Sequence, residues 1–233
     1  LLDRNPIADG TERNPLLADK DLPFRNIKSP NPARLKTYRK REALVEAFQN
    51  ESGIGEHLTT LLDDIERLEG GGIINKQVGD ILRSTIGYLG EINPTTLLDL
   101  RFIAEKISGG TRIAFAEKLD GEYRVGLDED SFKNMDTMTA VETIFHELME
   151  VGILRYIGTD SVNWMNLSNE IRKPSNQRLL EKMIQITTGN KTNVNTAAKT
   201  EYLLDPENPN ESVAAMGTFI LMARVLGTQD STM

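Results

Sequence analysis

The apolar positions between residues 34 and 108 recur at intervals of three and four, which predicts a series of helices. Gly53 and Gly55 end the first of these helices, because glycine is common just past a helix end. The three glycines 70–72 end the second in the same way, and a third helix is predicted over 73–89.

A fourth helix is predicted from Pro94, because proline is favoured at the first helical position. It ends at Gly109 and completes a helical region at 34–110. Its apolar side consists of Leu97, Leu98, Phe102, Ile103 and Ile107.

The helical spacing of apolar residues ends before residues 111–127. This segment contains two runs of residues typical of β-strands, which flank Asp120 and Gly121. An Asp-Gly pair between such runs is a strong signal for a tight turn, since both residue types tolerate positive φ. The sequence therefore predicts an antiparallel β-hairpin here.

A long helix is predicted after the hairpin, up to Tyr156, with Gly158 as its stop. Thr139 followed three residues later by Glu142 fits a capping box, and Thr137 is a competing cap. The helix is thus predicted to begin between residues 137 and 139.

The C-terminal part is predicted to contain a loop or short turn at 164–169, a helix over 174–188 and an irregular polar stretch at 190–210. A run of apolar residues predicts a last helix over 211–226. Together with the hairpin, these elements indicate an α+β fold that is mostly helical.

Residues 1–33 are predicted to form an extended arm. Five prolines in this stretch block regular helix, and small apolar clusters at Ile7, 16–17 and 22–24 interrupt its polar residues. Such clusters favour docking on a partner or on the body of the protein. The predicted organisation is therefore an arm at 1–33, a helical region at 34–110 and a third region at 111–233.

The composition narrows the set of partners. The formal net charge is −8, which argues against nucleic acid as the main ligand because phosphate binding needs a basic surface. A basic run at 34–41 is typical of a solvated helix start, with binding of phosphate or of an acidic partner segment as the alternative.

No apolar run reaches the roughly 20 residues needed to span a bilayer, so a soluble protein is expected. The chain has no cysteine, so a metal would be held by His, Asp or Glu.

The long central helix carries His146 and Glu150 one turn apart on one face. An imidazole and a carboxylate so placed can share one cation, and Glu147 stands where a metalloprotease keeps its general base. A catalytic centre needs a third protein ligand. The candidate is Glu211, which opens the last predicted helix; the alternative is that its charge only favours the positive end of that helix.

The order of hairpin, His-Glu-x-x helix and later Glu-x-x-Ala helix resembles the zincin metallopeptidases, in particular the gluzincin-like arrangement. It is similar to the zincin domains within large polyvalent proteins of phages and mobile elements. The resemblance covers residues 111–226. It implies that His146 and Glu211 are ligands of a Zn²⁺ cofactor and that Glu147 is the general base, with a peptide or protein as the substrate.

One position departs from the zincin motif, because Glu150 occupies the place of the second histidine. A carboxylate is a harder ligand than imidazole and adds negative charge, which shifts the preference toward Mn²⁺ or Mg²⁺. Loss of a family ligand also commonly accompanies a fold that is kept without catalysis.

These residues predict one of two functions. The first is a metal-dependent peptidase in which His146, Glu150 and Glu211 hold the metal and the substrate lies along the edge of the hairpin. The second is a non-catalytic structural or interaction protein with a degenerate zincin fold and no metal, such as a virion or cargo component of a phage. In that case the arm at 1–33 would bind neighbouring subunits of an assembly.

Overall fold

The computed structural model describes residues 31–49, 53–107, 112–156, 161–174 and 209–226. Within these ranges the protein is α+β and mostly helical, with one three-stranded sheet, which confirms the predicted fold class. Residues 1–30 of the predicted arm lie outside the described residues, as do 175–188 of the helix predicted from 174 and 190–208 of the predicted irregular stretch.

The described helices and strands follow one another along the chain with a single 3₁₀ turn, Pro94–Leu97, before the first strand. The helices are α1 (Pro32–Thr37), α2 (Arg41–Phe48), α3 (Gly55–Gly70), α4 (Lys76–Ile92), α5 (Glu129–Phe132), α6 (Thr137–Tyr156), α7 (Ser161–Ile171) and α8 (Pro209–Val225). The strands are β1 (Leu100–Glu105), β2 (Ala114–Leu119) and β3 (Glu122–Asp128). No described helix is both long and apolar enough to cross a membrane.

The first four helices follow the apolar periodicity of the sequence. The first predicted helix is two helices, α1 and α2, and the side chain of Asn31 caps α1 by accepting a hydrogen bond from the backbone N–H of Ala33. The second and third predicted helices are confirmed as α3 and α4, but Gly55, predicted to help end the first helix, is instead the first residue of α3. Asn75 caps α4 through the backbone N–H of Val78, so this helix begins three residues later than predicted.

The fourth predicted helix is wrong. Beyond the 3₁₀ turn, Asp99 adopts a positive φ of 54°, and the chain continues as β1. Leu100 and Phe102 are buried at alternating positions, and the carboxylate of Asp64 accepts a hydrogen bond from the backbone N–H of Phe102. Pairing with β3 and with this buried carboxylate stabilises a strand in a segment whose apolar spacing is also compatible with a helix.

The sheet has the order β1-β3-β2, with β3 in the centre. Strands β2 and β3 form the predicted antiparallel hairpin, and its turn residues Asp120 and Gly121 have φ values of 52° and 88°. Strand β1 runs parallel to β3, so the sheet is mixed rather than only antiparallel. The predicted boundary at residue 110 falls between strands of this one sheet, and one buried core extends from Leu35 to Val225.

Two predictions in the second half of the chain are corrected. The cap of α6 is Asp136, whose carboxylate accepts hydrogen bonds from the backbone N–H and the hydroxyl of Thr139, so the predicted capping box is not the helix start. The loop predicted at 164–169 belongs to α7. Its buried Ser168 and Ile171 pack against α8, and this tertiary contact stabilises a helix that the sequence pattern did not indicate.

Asp128 joins three segments at the end of β3. As the N-cap of α5, it accepts hydrogen bonds through its carboxylate from the hydroxyl and the backbone N–H of Ser131. The same carboxylate accepts a hydrogen bond from the backbone N–H of Ile107. The Ser131 hydroxyl contributes most to holding the pKa of Asp128 below its ordinary value, followed by these two backbone donors.

We expect this carboxylate to make stability depend on pH on the acid side. Because the folded-state pKa is depressed, the stabilising contribution is complete above the unfolded-state pKa of about 4 and is lost as pH falls through the folded-state value. Urea unfolding of the wild type and of Asp128→Asn should therefore differ most near neutral pH, and the difference should shrink as the pH is lowered below 4. A difference that stays constant with pH would contradict this role.

Candidate metal centre

Helix α6 presents three of the four predicted site residues. Ile144, Phe145 and Leu148 are buried and attach the helix to the sheet and to the common core. The side chains of His146, Glu147 and Glu150 are only half-buried. The periodicity of 3.6 residues therefore separates an apolar side from a side with ionisable groups on the same helix.

Helix α8 brings the fourth residue, Glu211, to this polar side. The helix begins at Pro209, so Glu211 lies in its first turn rather than at its first residue. Ala214 is fully buried, and a Cβ atom at Gly217 would lie only 2.7 Å from the Sδ atom of Met149 on α6. Small residues on α8 therefore allow the two helices to pack closely and place Glu211 beside His146.

The three predicted ligands converge. The Nε2 atom of His146 lies 3.1 Å from Oε2 of Glu211 and 4.0 Å from Oε1 of Glu150. One potential ligand atom from each residue lies within 4.8 Å of the other two, and no other such group occurs among the described residues.

These distances fit a shared cation. Two ligand atoms that each lie at about 2.1 Å from a tetrahedral metal are separated by about 3.4 Å. The observed 3.1 Å and 4.0 Å lie on either side of that value, and the carboxylate oxygens of Glu150 and Glu211 lie within 4.8 Å of each other. Modest side-chain movements would therefore bring all three groups to bonding distance. An imidazole nitrogen and two carboxylate oxygens are suitable donors for Zn²⁺ and, with their excess of oxygen, for harder divalent cations.

The charges of the cluster shift the pKa values of two of its members. Burial lowers the pKa of His146, but the hydrogen bond and charge of Glu211 outweigh it, together with the charges of Glu150 and Glu147, so the net shift is upward. Burial, followed by repulsion from Glu150, raises the pKa of Glu147 to about 7, against the lowering effect of His146 and Arg112. Glu147 is thus disposed to exchange a proton near neutral pH.

Two residues that the sequence analysis did not single out contact or influence this cluster. The Nδ2 atom of Asn210 donates a hydrogen bond to Oε1 of Glu150 at 3.0 Å. Arg112, just before β2, donates from Nε to the carbonyl of Ala114 at 3.1 Å, and its charge lowers the pKa of Glu147. Asn210 could have been noticed as the neighbour of Glu211, whereas no spacing links Arg112 to the motif.

Comparisons with known proteins add no family assignment. A scan against models of protein families gave no match, and searches of curated proteins and of solved structures gave none either. The likeness to zincins therefore remains a prediction from the motif, and the geometry around His146 is the basis for a function.

Proposed function

We propose that this chain is a metal-dependent peptidase of the zincin type. One observation carries the proposal: His146 and Glu150 from α6 and Glu211 from α8 bring their ligand atoms within 4.8 Å of one another, beside the raised-pKa carboxyl of Glu147. A cluster of potential ligands next to a group with a perturbed pKa is typical of a catalytic centre.

The three ligands would hold one divalent cation, namely Zn²⁺ or, because two of the donors are carboxylates, Mn²⁺ or Mg²⁺. When bound, such a cation supplies Lewis acidity for hydrolysis. The negative charges of Glu150 and Glu211 would balance the charge of the cation. The cation would therefore be a weaker Lewis acid than one held by two neutral histidines. Titration of the protein with each cation in turn identifies which of Zn²⁺, Mn²⁺ and Mg²⁺ binds.

Glu147 would act as the general base. Its carboxylate takes a proton from the attacking water and transfers it to the nitrogen of the leaving amine as the peptide C–N bond breaks. A pKa of about 7 suits both halves of this transfer, because the group is neither too weak a base nor too weak an acid at neutral pH.

Strand β2 would bind the substrate. It forms one edge of the described sheet and packs on α6, the helix that carries Glu147. An extended peptide that adds to this edge would gain backbone hydrogen bonds along its length and place its scissile bond near the cluster.

The decisive experiment is a cation titration of the protein after treatment with a chelator. Isothermal titration with Zn²⁺ and with Mn²⁺ should give one site per chain in the wild type. In Glu211→Ala the affinity should fall by more than the roughly 10- to 100-fold typical of changes around a metal's ligands, because a ligand itself is removed.

Glu46→Ala is the matched control, since Glu46 is an exposed glutamate on α2, a helix that contributes no residue to the cluster. It should bind both cations as the wild type does. A wild type without cation affinity, or a Glu211→Ala variant that binds as tightly as Glu46→Ala, would contradict the proposed centre.

The same contact supports a second candidate, a non-catalytic structural protein. His146 with a raised pKa can donate a hydrogen bond to Glu211 and so link α6 to α8 as an ion pair, with no cation. This candidate predicts that the wild type binds neither Zn²⁺ nor Mn²⁺, and that His146→Ala lowers the unfolding midpoint of the chelated protein.

A further inference from the structure

The first turn of α8 contacts both metal-ligand candidates of α6. Glu211 reaches Nε2 of His146, and the preceding residue, Asn210, donates to Oε1 of Glu150. That Oε1 atom is the same oxygen that lies 4.0 Å from Nε2 of His146. Asn210 therefore holds the oxygen of Glu150 that faces the cluster.

We propose that Asn210 is a positioning residue that fixes the carboxylate of Glu150 as a cation ligand; this inference rests on the proposed metal centre. A free glutamate side chain rotates about three bonds, and ordering it when a cation binds costs conformational entropy. A hydrogen bond at 3.0 Å, made before any cation arrives, removes part of that cost.

The chemistry of the amide suits this role. Its N–H₂ group donates to an ionised carboxylate and carries no full charge, so it does not neutralise the oxygen that would bind a cation. A lysine or arginine at this position would form an ion pair with Glu150 and compete with the metal for it. Carboxylate ligands of metals are commonly oriented by such hydrogen bonds.

The arrangement also makes the centre dependent on one helix contact. Helix α6 carries His146 and Glu150 one turn apart. Two consecutive residues of α8, Asn210 and Glu211, contact this pair. Docking of α8, through the contact of Gly217 with Met149, thus brings in the third ligand and orders the second at the same time.

The test is a double-mutant cycle on the full chain, with Mn²⁺ as the probe. Electron paramagnetic resonance of free Mn²⁺ measures even millimolar dissociation constants, so weakened variants stay measurable. We expect Asn210→Ala to weaken Mn²⁺ binding by about 10- to 100-fold in the wild-type background. In the Glu150→Ala background the same substitution should change the affinity by less than about twofold, because the group that Asn210 positions is already absent.

Asn134→Ala is the matched control, since Asn134 is exposed and its side chain donates to the carbonyl of Asp130. It should leave Mn²⁺ binding unchanged. An Asn210→Ala variant that binds like the wild type, or one that loses the same factor with and without Glu150, would overturn the inference. Absence of Mn²⁺ and Zn²⁺ binding in the wild type is a different result, because it would overturn the metal centre itself.

Discussion

Glu147→Gln is expected to slow peptide hydrolysis by about 10²- to 10⁴-fold, the contribution typical of a general base. Glutamine keeps the size of the side chain and cannot accept the proton of the attacking water. Cation affinity should stay near that of the wild type, because Glu147 is not one of the three converging ligands. The first measurement is the initial rate at which protein loaded with Zn²⁺ or Mn²⁺ cleaves fluorescein-labelled casein. The second is isothermal titration of the two proteins with the same cations, which gives their cation affinities.

Glu46→Gln provides the control for this experiment, since it makes the same chemical change at an exposed position on α2. It should cleave casein at the wild-type rate. Cleavage that persists in Glu147→Gln would contradict the proposed role of the residue, even if the protein binds a cation.

Asp64→Ala is expected to lower the free energy of unfolding by about 3 kcal/mol. This is the lower end of the range for breaking a buried ion pair, because the partner side chain of Arg101 is 27% exposed. Asp64 is fully buried, and its carboxylate accepts hydrogen bonds from Nε and one terminal nitrogen of Arg101 at 2.8 and 3.0 Å. It also accepts from the backbone N–H of Phe102. Without it, β1 loses its polar attachment to α3, and Arg101 keeps only Glu122 as an acidic partner among its described contacts.

The neighbouring residue gives a sharp control. Asp63 is 59% exposed and pairs with Arg41 at 2.7 Å on the surface, so Asp63→Ala should cost less than about 1 kcal/mol. Urea unfolding curves of both variants at neutral pH measure the difference. Equal losses from the two substitutions would contradict the assignment of Asp64 as the anchor of β1.

Several parts of the fold and the site could be predicted from local sequence rules. The hairpin follows from Asp120 and Gly121, which supply the two positive φ values that its turn requires. Helices α3 and α4 follow from apolar periodicity, and α6 was predicted from cap and stop signals. The closeness of His146 and Glu150 follows from their spacing of one helical turn, since both residues lie on the same helix.

Other features depended on contacts between segments that are distant in the sequence. Whether 100–105 is helix or strand was decided by pairing with β3 and by Asp64, not by its own apolar pattern. The helix α7 was likewise decided by packing on α8. In both cases a tertiary contact stabilised a conformation other than the one that the local sequence pattern predicted.

The sequence by itself determined which residues could form a metal centre, because His146, Glu150 and Glu211 have suitable donor atoms and two of them share a helix face. Only the tertiary structure decided that Glu211, 65 residues further along the chain, lies 3.1 Å from His146 and that Asn210 binds Glu150. The physical reason is that propensity and spacing act over one or two helical turns, whereas this distance depends on how closely α8 packs on α6. At the crossing of the two helices that packing depends on Gly217, where a Cβ atom would lie 2.7 Å from Sδ of Met149, and Gly217 lies outside the Glu-x-x-Ala motif.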